Sequence, residues 1–538
     1  MSTPAHPLTD PAAVDRLAAD LAACGYDADH VPALLGVDAH NALGRGQRWP
    51  ALYVTGRAAA DGSALSTVTR LFLFGTSEPA DAVAAALPSL GISGGIACGA
   101  LEVADARDGR GARGTDSDDR VGSNGDDGAS RPGAALIRAA VDIRPHADEE
   151  RSYLVVSDFD SDSRPGPVRR DHVLGIGAAS VTLARAVIRR PVDRVLDLGT
   201  GCGIQALHCD AHAGSVTATD TNPRALALAG ATARLNSQQW DLRAGSLFEP
   251  VAGERFDLIV SNPPFVISSG TQRFEYRDSG LAGDELCRRL VLGIPDHLTP
   301  GGTAQILANW LIRGDGDWRL GVGSWVAATG LDGWVVQREV APPAQYVALW
   351  LQDTGEAFED DAADLAGEWL DYFARENVTG IGMGSITLRR PEHSRAGTPD
   401  VIFDQLTGAG DVLTGPEVDA FLARRAYLAG VSDADLLDVR LSLADTDILE
   451  QRLLPGRDGW TTVLRMLHRP SGPGASVQLD EWGQALFAGC RGDVTLRTLV
   501  ELMAAAHELD PTALAAAILP TIRTAITRGL LHPVDGIG

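Results

Sequence analysis

The run Val195-Leu196-Asp197-Leu198-Gly199-Thr200-Gly201-Cys202-Gly203 narrows the folds open to this chain more than any other feature. Four residues read as a buried strand, and three glycines at alternate positions follow at once. Such a turn bends tightly and brings backbone N–H groups against a ligand at the start of the next helix. The run predicts an open α/β sheet with a ligand pocket at its strand tips. The glycine spacing is GxGxG. A dinucleotide fingerprint needs GxGxxG, and Ile204 stands where its last glycine would fall, so a pyrophosphate cofactor is disfavoured.

The pattern downstream fits that sheet. Apolar runs at Arg194–Leu198, Ser215–Thr219, Asp257–Val260 and Gly302–Leu307 alternate with helical stretches, which predicts parallel strands with crossover helices. Runs at Gly333–Gln337, Tyr346–Leu351 and Gly380–Leu388 are expected to add strands at the far end, the last two antiparallel. Asp220 closes the second strand about 20 residues past the glycine turn, where a carboxylate can take both hydroxyls of a ribose. Ser246 and Leu247 are expected beside an adenine. Asp197 is expected either to meet a ligand ammonium or to anchor the glycine loop. A nucleoside ligand without pyrophosphate, such as S-adenosylmethionine (SAM), suits this pocket.

Ser261-Asn262-Pro263-Pro264-Phe265 follows the third strand. The Asn262 side-chain oxygen and the Pro263 carbonyl can each accept one N–H of a planar NH2 group. The prolines stiffen the turn, and Phe265 is expected to offer a flat face. An amide or ring-conjugated nitrogen is a poor nucleophile because its lone pair is delocalised. Two acceptors that pyramidalise it, together with alignment, supply what such a nitrogen lacks.

With these residues in order, 171–310 resembles the release-factor glutamine methyltransferases and their amino-methyltransferase relatives. The likeness runs through Asp197, Gly199, Thr200, Gly201, Gly203, Asp220 and Asn262-Pro263-Pro264-Phe265, and through Tyr276–Asp284 after the clamp. It implies a Rossmann-like class I sheet, SAM as cofactor and transfer to a protein glutamine, in a release factor or ribosomal protein. Relatives acting on rRNA guanine keep an RNA acceptor open, with Arg273, Arg277, Arg288 and Arg289 near the mouth. A SAM-binding regulatory protein and a small-molecule acceptor are further alternatives. Two positions depart from the family: Ser246 stands where aspartate is common, and Phe265 where release-factor enzymes carry tyrosine.

The 538 residues exceed one ordinary core. The expected division is a small, mainly helical domain over 1–103, a Gly/Asp/Arg/Ser-rich insertion over 104–133 too polar to order itself, the α/β domain over 134–392, and a helical C-terminal domain over 393–538 with a winged-helix-like end. Within the first, Asp10-Pro11 opens a helix, Leu71–Phe74 reads as a strand, and a helix from Asp81 stops at Pro88. Ala135–Val141 and Ser152–Ser157 read as a hairpin. The net charge of −25 disfavours RNA and anionic membranes as partners. No secretory leader or spanning helix is legible and the six cysteines are scattered, so a cytoplasmic protein with reduced thiols is expected. His208, Cys209 and His212 sit on the helix after the glycine turn, the histidines four apart on one face, but no carboxylate or cysteine cluster accompanies them, and no metal is expected. Asp171–Gly177 reads either as a cover for the cofactor's methionine end or as a plain helix entry.

Overall fold

The computed structural model describes residues 6–104, 135–148, 151–160, 163–164, 169–270, 277–278, 280–353, 356, 359, 361–392, 399–406, 411–457, 459–469 and 475–536. The polar insertion from residue 105 on lies outside them, as do Arg273, Tyr276 and Ser279. The chain divides into two compact units. The first takes 1–181, 191–333 and 341–400, and the second takes 182–190, 334–340 and 401–538.

The first unit begins with helices α1 (Pro11–Ala23), α2 (His30–Leu43), α3 (Trp49–Ala60) and α4 (Ala64–Val68). Asp10 caps α1 by accepting the Ala12 N–H, with Pro11 in the first turn, as the sequence predicts. Val14, Leu17 and Leu21 form its buried face. Leu71–Phe74 is not a strand. Ser63 caps α4, and that helix continues into a π-type turn over Thr69–Leu73 that buries Leu71 and Phe72. A run this short and apolar on every side carries no period to separate helix from strand. Next come β1 (Glu78–Pro79), α5 (Ala80–Ala86, ending before Pro88), α6 (Gly91–Ala97), β2 (Leu101–Val103) and β3 (Leu136–Ala139), with β3 between β1 and β2. The hairpin forms one strand later than expected: β5 (Ser152–Ser157) pairs with β4 (Asp142–Ala147) and not with Ala135–Val141.

After α7 (Ala178–Ala186) the chain alternates through β6 (Val192–Leu198), α8 (Ile204–Asp210), β7 (Ala213–Asp220), α9 (Pro223–Leu235), β8 (Asp241–Ala244), β9 (Phe256–Ser261), α10 (Glu285–His297) and β10 (Leu298–Arg313). These strands are parallel in the order β10-β9-β6-β7-β8. β8 is an edge strand absent from the sequence reading. The chain winds outward from β6 to β8 and returns on the other side at β9. The tips of β6 and β9 therefore flank the point where strand order reverses, which is where open parallel sheets bind ligands.

Helices α11 (Trp318–Ala328), α12 (Pro343–Asp353) and α13 (Ala362–Arg375) and strands β11 (Asp332–Ala341) and β12 (Val378–Arg389) follow. β12 runs antiparallel to β10, as expected. Tyr346–Leu351 lies in α12, not in a strand. Tyr346, Val347 and Leu351 recur at helical spacing and pack with Trp369 and Phe373.

In the second unit, residues 334–340 pair with β13 (Val401–Gln405). Trp334 stacks on Phe421 at 3.7 Å, and its indole N–H donates to Asp404 Oδ2 at 2.7 Å. Then come α14 (Gly415–Gly430), α15 (Asp433–Leu437), β14 (Arg440–Leu443), β15 (Ile448–Gly456), β16 (Gly459–His468), β17 (Ser476–Gln478), α16 (Glu481–Gly489), β18 (Arg491–Thr495), α17 (Leu496–His507), α18 (Pro511–Thr527) and β19 (Leu531–Pro533). The helix, helix, short-strand order read at the chain's end is α17, α18 and β19. Two small sheets accompany it, β18-β14-β19 and β15-β16-β17, over a core that includes Leu436, Phe487, Ile522 and Leu531.

Candidate active site at the strand tips

The glycine turn adopts the conformation its residues permit. Gly199, Gly201 and Gly203 have φ of 76°, 57° and 85°, a left-handed region that disfavours side chains. Gly203 caps α8, and a Cβ there would meet Trp240 Cζ3 at 2.6 Å. The Gly199 and Thr200 N–H groups both donate to Thr219 O, which pins the turn to the tip of β7.

Asp197 is wholly buried. Its Oδ2 accepts from Thr200 Oγ at 2.6 Å and from the Ala206 N–H at 3.0 Å, while Oδ1 has no hydrogen-bond partner. Burial pushes its carboxyl up to about 6 from an ordinary 3.8, against the lowering by Thr200 and the Ala206 N–H. Of its two expected roles, this geometry is that of a loop anchor, and Asp197 does not line the cavity.

Asp220 does. Its Oδ2 accepts the Gly201 N–H and its Oδ1 the Asn222 N–H, both at 2.9 Å. A carboxylate offers about four acceptor sites, so holding the loop and taking ribose hydroxyls are compatible. Gly245, Ser246 and Leu247 form the adjoining wall, with Leu247 at φ 46°.

Opposite, Ser261 Oγ donates to Leu198 O at 2.6 Å and ties the tip of β9 to the tip of β6. Asn262 follows at once. Its Nδ2 donates to Ser180 Oγ at 3.2 Å, and its buried Oδ1 has no hydrogen-bond partner. A buried amide oxygen left unmatched is costly, roughly 1–3 kcal/mol, and needs a reason. A donor brought in by a ligand supplies one. Asn262, Pro263 and Pro264 line the same cavity as Gly199, Thr200, Gly201 and Asp220. Phe265 does not. It packs edge-on to Trp350 at 6.3 Å, against the cluster under α12 and α13.

The cavity holds about 230 Å3, against about 10–15 Å3 for one water on the same measure. Ser180, Gln205 and Leu286, which the sequence reading passed over, complete it together with Asp278 from the segment after the clamp. Asp278 sits in a buried ion-pair cluster. Arg277 donates to Asp278 at 2.7 and 3.1 Å and to Glu356 at 2.8 Å, beneath Trp369. His172–Gly175 cover one side. Asn222 holds this segment through Asp171 O, and Asp158 through the Val173 N–H, Asp158 itself being paired with Arg224. Burial pushes the His172 imidazole down, against the pull of nearby Asp158, and the ring lines the cavity.

His208 packs against His146, with the two Nε2 atoms 2.9 Å apart. Among the described residues no group of three or more metal-ligating side chains occurs. No single described helix is long and apolar enough to cross a membrane.

Residues 175–313 match the family model described as "Methyltransferase small domain". Residues 23–113 and 419–533 match two models described only as domains of unknown function. The chain is 40% identical over 129 residues to a release factor glutamine methyltransferase of Xylella fastidiosa, covering 22% of this chain and 47% of the relative. To a ribosomal RNA small subunit methyltransferase C of Erwinia tasmaniensis it is 29% identical over 187 residues, 34% of this chain and 50% of the relative. It thus spans about half the length of these relatives. To a Methanocaldococcus jannaschii protein named for N5-glutamine methylation it is 31% identical over 138 residues, 24% of this chain and 70% of the relative. On that match, carried by the segment that builds the cavity, the chain belongs to the protein N5-glutamine methyltransferase family, on a class I methyltransferase fold.

Proposed function

We propose that the protein methylates the side-chain amide nitrogen of a glutamine in another protein, with SAM as methyl donor and a release factor or ribosomal protein as acceptor. Such an acceptor puts the reaction in the cytoplasm. The observation that carries the reading is the unmatched, buried Asn262 Oδ1 in one cavity with the glycine turn and Asp220.

SAM, when bound, supplies a methyl group on a sulfonium that leaves readily as a thioether. Gly199, Thr200, Gly201 and Gly203 would shape its cradle, Asp220 would take the ribose hydroxyls, and Ser246 and Leu247 would flank the adenine. Asn262 Oδ1 and the Pro263 carbonyl would each accept one N–H of the acceptor amide and aim its lone pair at the methyl carbon. The amide nitrogen would take the methyl group and then lose one proton to solvent. Nothing in this step calls for a strong base, because the nitrogen becomes acidic once alkylated. Asp197 and Phe265 would act from behind, holding the loop and the clamp.

A nucleobase amine in rRNA is the second reading, favoured by the likeness to an RNA methyltransferase. Of the arginines that would support it, the three among the described residues are engaged otherwise: Arg277 is buried between carboxylates, and Arg288 and Arg289 both pair with Glu285.

The test is methyl transfer from radiolabelled SAM into a lysate of the same organism, before and after RNase or protease, with Asn262→Ala as control. Protease-sensitive label lost with Asn262→Ala supports the proposal. RNase-sensitive label moves the acceptor to RNA, and SAM binding without transfer points to a regulatory protein.

A further inference from the structure

Strand β15 is the outer edge of the sheet β15-β16-β17, and all nine of its residues are exposed. Open edges of this length are templates for another strand, and proteins usually blunt them with lysine, proline or a cover. Here Ile448, Leu449, Leu453 and Leu454 are 49%, 39%, 44% and 58% exposed along the edge. The chain contains no lysine to guard it. Pro455, lacking an N–H, ends the segment able to pair.

The order of the side chains identifies the occupant. Read from either end toward Gln451, residues 448–454 match themselves. In an antiparallel pair centred on Gln451, Ile448 faces the second copy's Leu454, Leu449 faces its Leu453, and Glu450 faces its Arg452. Both apolar pairs and the opposite charges are favourable cross-strand partners. Glu450 and Arg452 already share one face of the strand, with Arg452 Nε 3.0 Å from Glu450 Oε1. A two-fold axis through Gln451 repeats every contact on both sides, as an isologous interface requires. A one-residue slip would lose both charge pairs.

We infer that β15 is a homodimerisation strand, pairing edge to edge with β15 of a second copy in the register centred on Gln451. The interface is small and built largely from main-chain hydrogen bonds, so the dimer should dissociate on dilution.

The experiment is sedimentation of the full 56.5 kDa chain across a concentration series, with charge variants. Wild type should sediment as a concentration-dependent dimer. Arg452→Glu and Glu450→Arg each set like charges opposite one another at two symmetric positions and should weaken the dimer at least about tenfold. A 1:1 mixture of the two should recover dimer as a mixed pair, which damage within one chain cannot produce. The double variant E450R/R452E should dimerise on its own and shows that the reversals are compatible with folding. A wild type monomeric throughout, a dimer indifferent to Arg452→Glu, or a mixture that stays monomeric would each overturn the assignment.

Discussion

Ser180 Oγ accepts a hydrogen bond from Asn262 Nδ2 at 3.2 Å. That contact decides which end of the Asn262 amide is left without a partner, since Nδ2 is occupied and Oδ1 is not. The orientation of the clamp therefore depends on a residue 82 positions earlier in the chain.

Ser180→Ala should lower kcat by about tenfold with SAM affinity unchanged, because the clamp loses its orientation but not its acceptor. Asn262→Ala should cost more than about a hundredfold, in line with the penalty for misplacing a reacting group. Steady-state kinetics with the identified acceptor, beside SAM titration, test this. A Ser180→Ala variant with wild-type kcat would contradict it.

Gly203→Ala combines a disfavoured φ of 85° with a Cβ 2.6 Å from Trp240 Cζ3. About 1–3 kcal/mol of destabilisation should follow, read as a fall of several degrees in the apparent Tm. SAM binding should be lost in parallel, because the turn must open to relieve the clash. Thermal melts with and without SAM would show both effects.

Asp197 and Asp142 both have folded-state pKa values pushed up to about 6 from 3.8 by burial. The folded protein keeps protons there that the unfolded chain has released. The resulting stability is complete below pH 4 and is lost as pH rises through 6. For Asp197 the shift of about two pH units corresponds to at most ~3 kcal/mol. Asp197→Asn removes one of the two, so the variant should lose less stability than wild type between pH 4 and 7. Urea midpoints against pH measure the difference, and parallel curves would argue against a buried, titrating Asp197.

Removing the Arg277 cation strands two buried carboxylates, Asp278 and Glu356. Arg277→Leu should therefore destabilise by about 3–5 kcal/mol. Arg277→Lys should recover only part of this, since one ammonium cannot reproduce the two-oxygen contact to Asp278 as well as the Glu356 bond. Limited proteolysis of the first unit would rank the three proteins.

The glycine-turn side of the cavity was legible because its pattern is local. Three glycines and a strand-end carboxylate declare themselves within about 25 residues, and the positive φ values follow from residue type. The far wall was not, because Ser180, Gln205, Asp278 and Leu286 meet only through the fold. Tyr346–Leu351 and Leu71–Phe74 were misread for one reason. Both are short and apolar throughout in sequence, so composition hides the helical spacing of the buried Tyr346, Val347 and Leu351, and Leu71 and Phe72 carry no period at all. Phe265 shows a subtler limit. The motif fixes its place beside the clamp, but Trp350 and the cluster under α12 and α13 decide where its ring points.

The Ser261–Leu198 hydrogen bond joins the two strands that end in the glycine turn and in Asn262. On the proposed function, donor pocket and acceptor clamp hang from a common bracket. Warming that loosens one must loosen the other, so retention of the methyl donor and competence to use it should vanish at a single temperature.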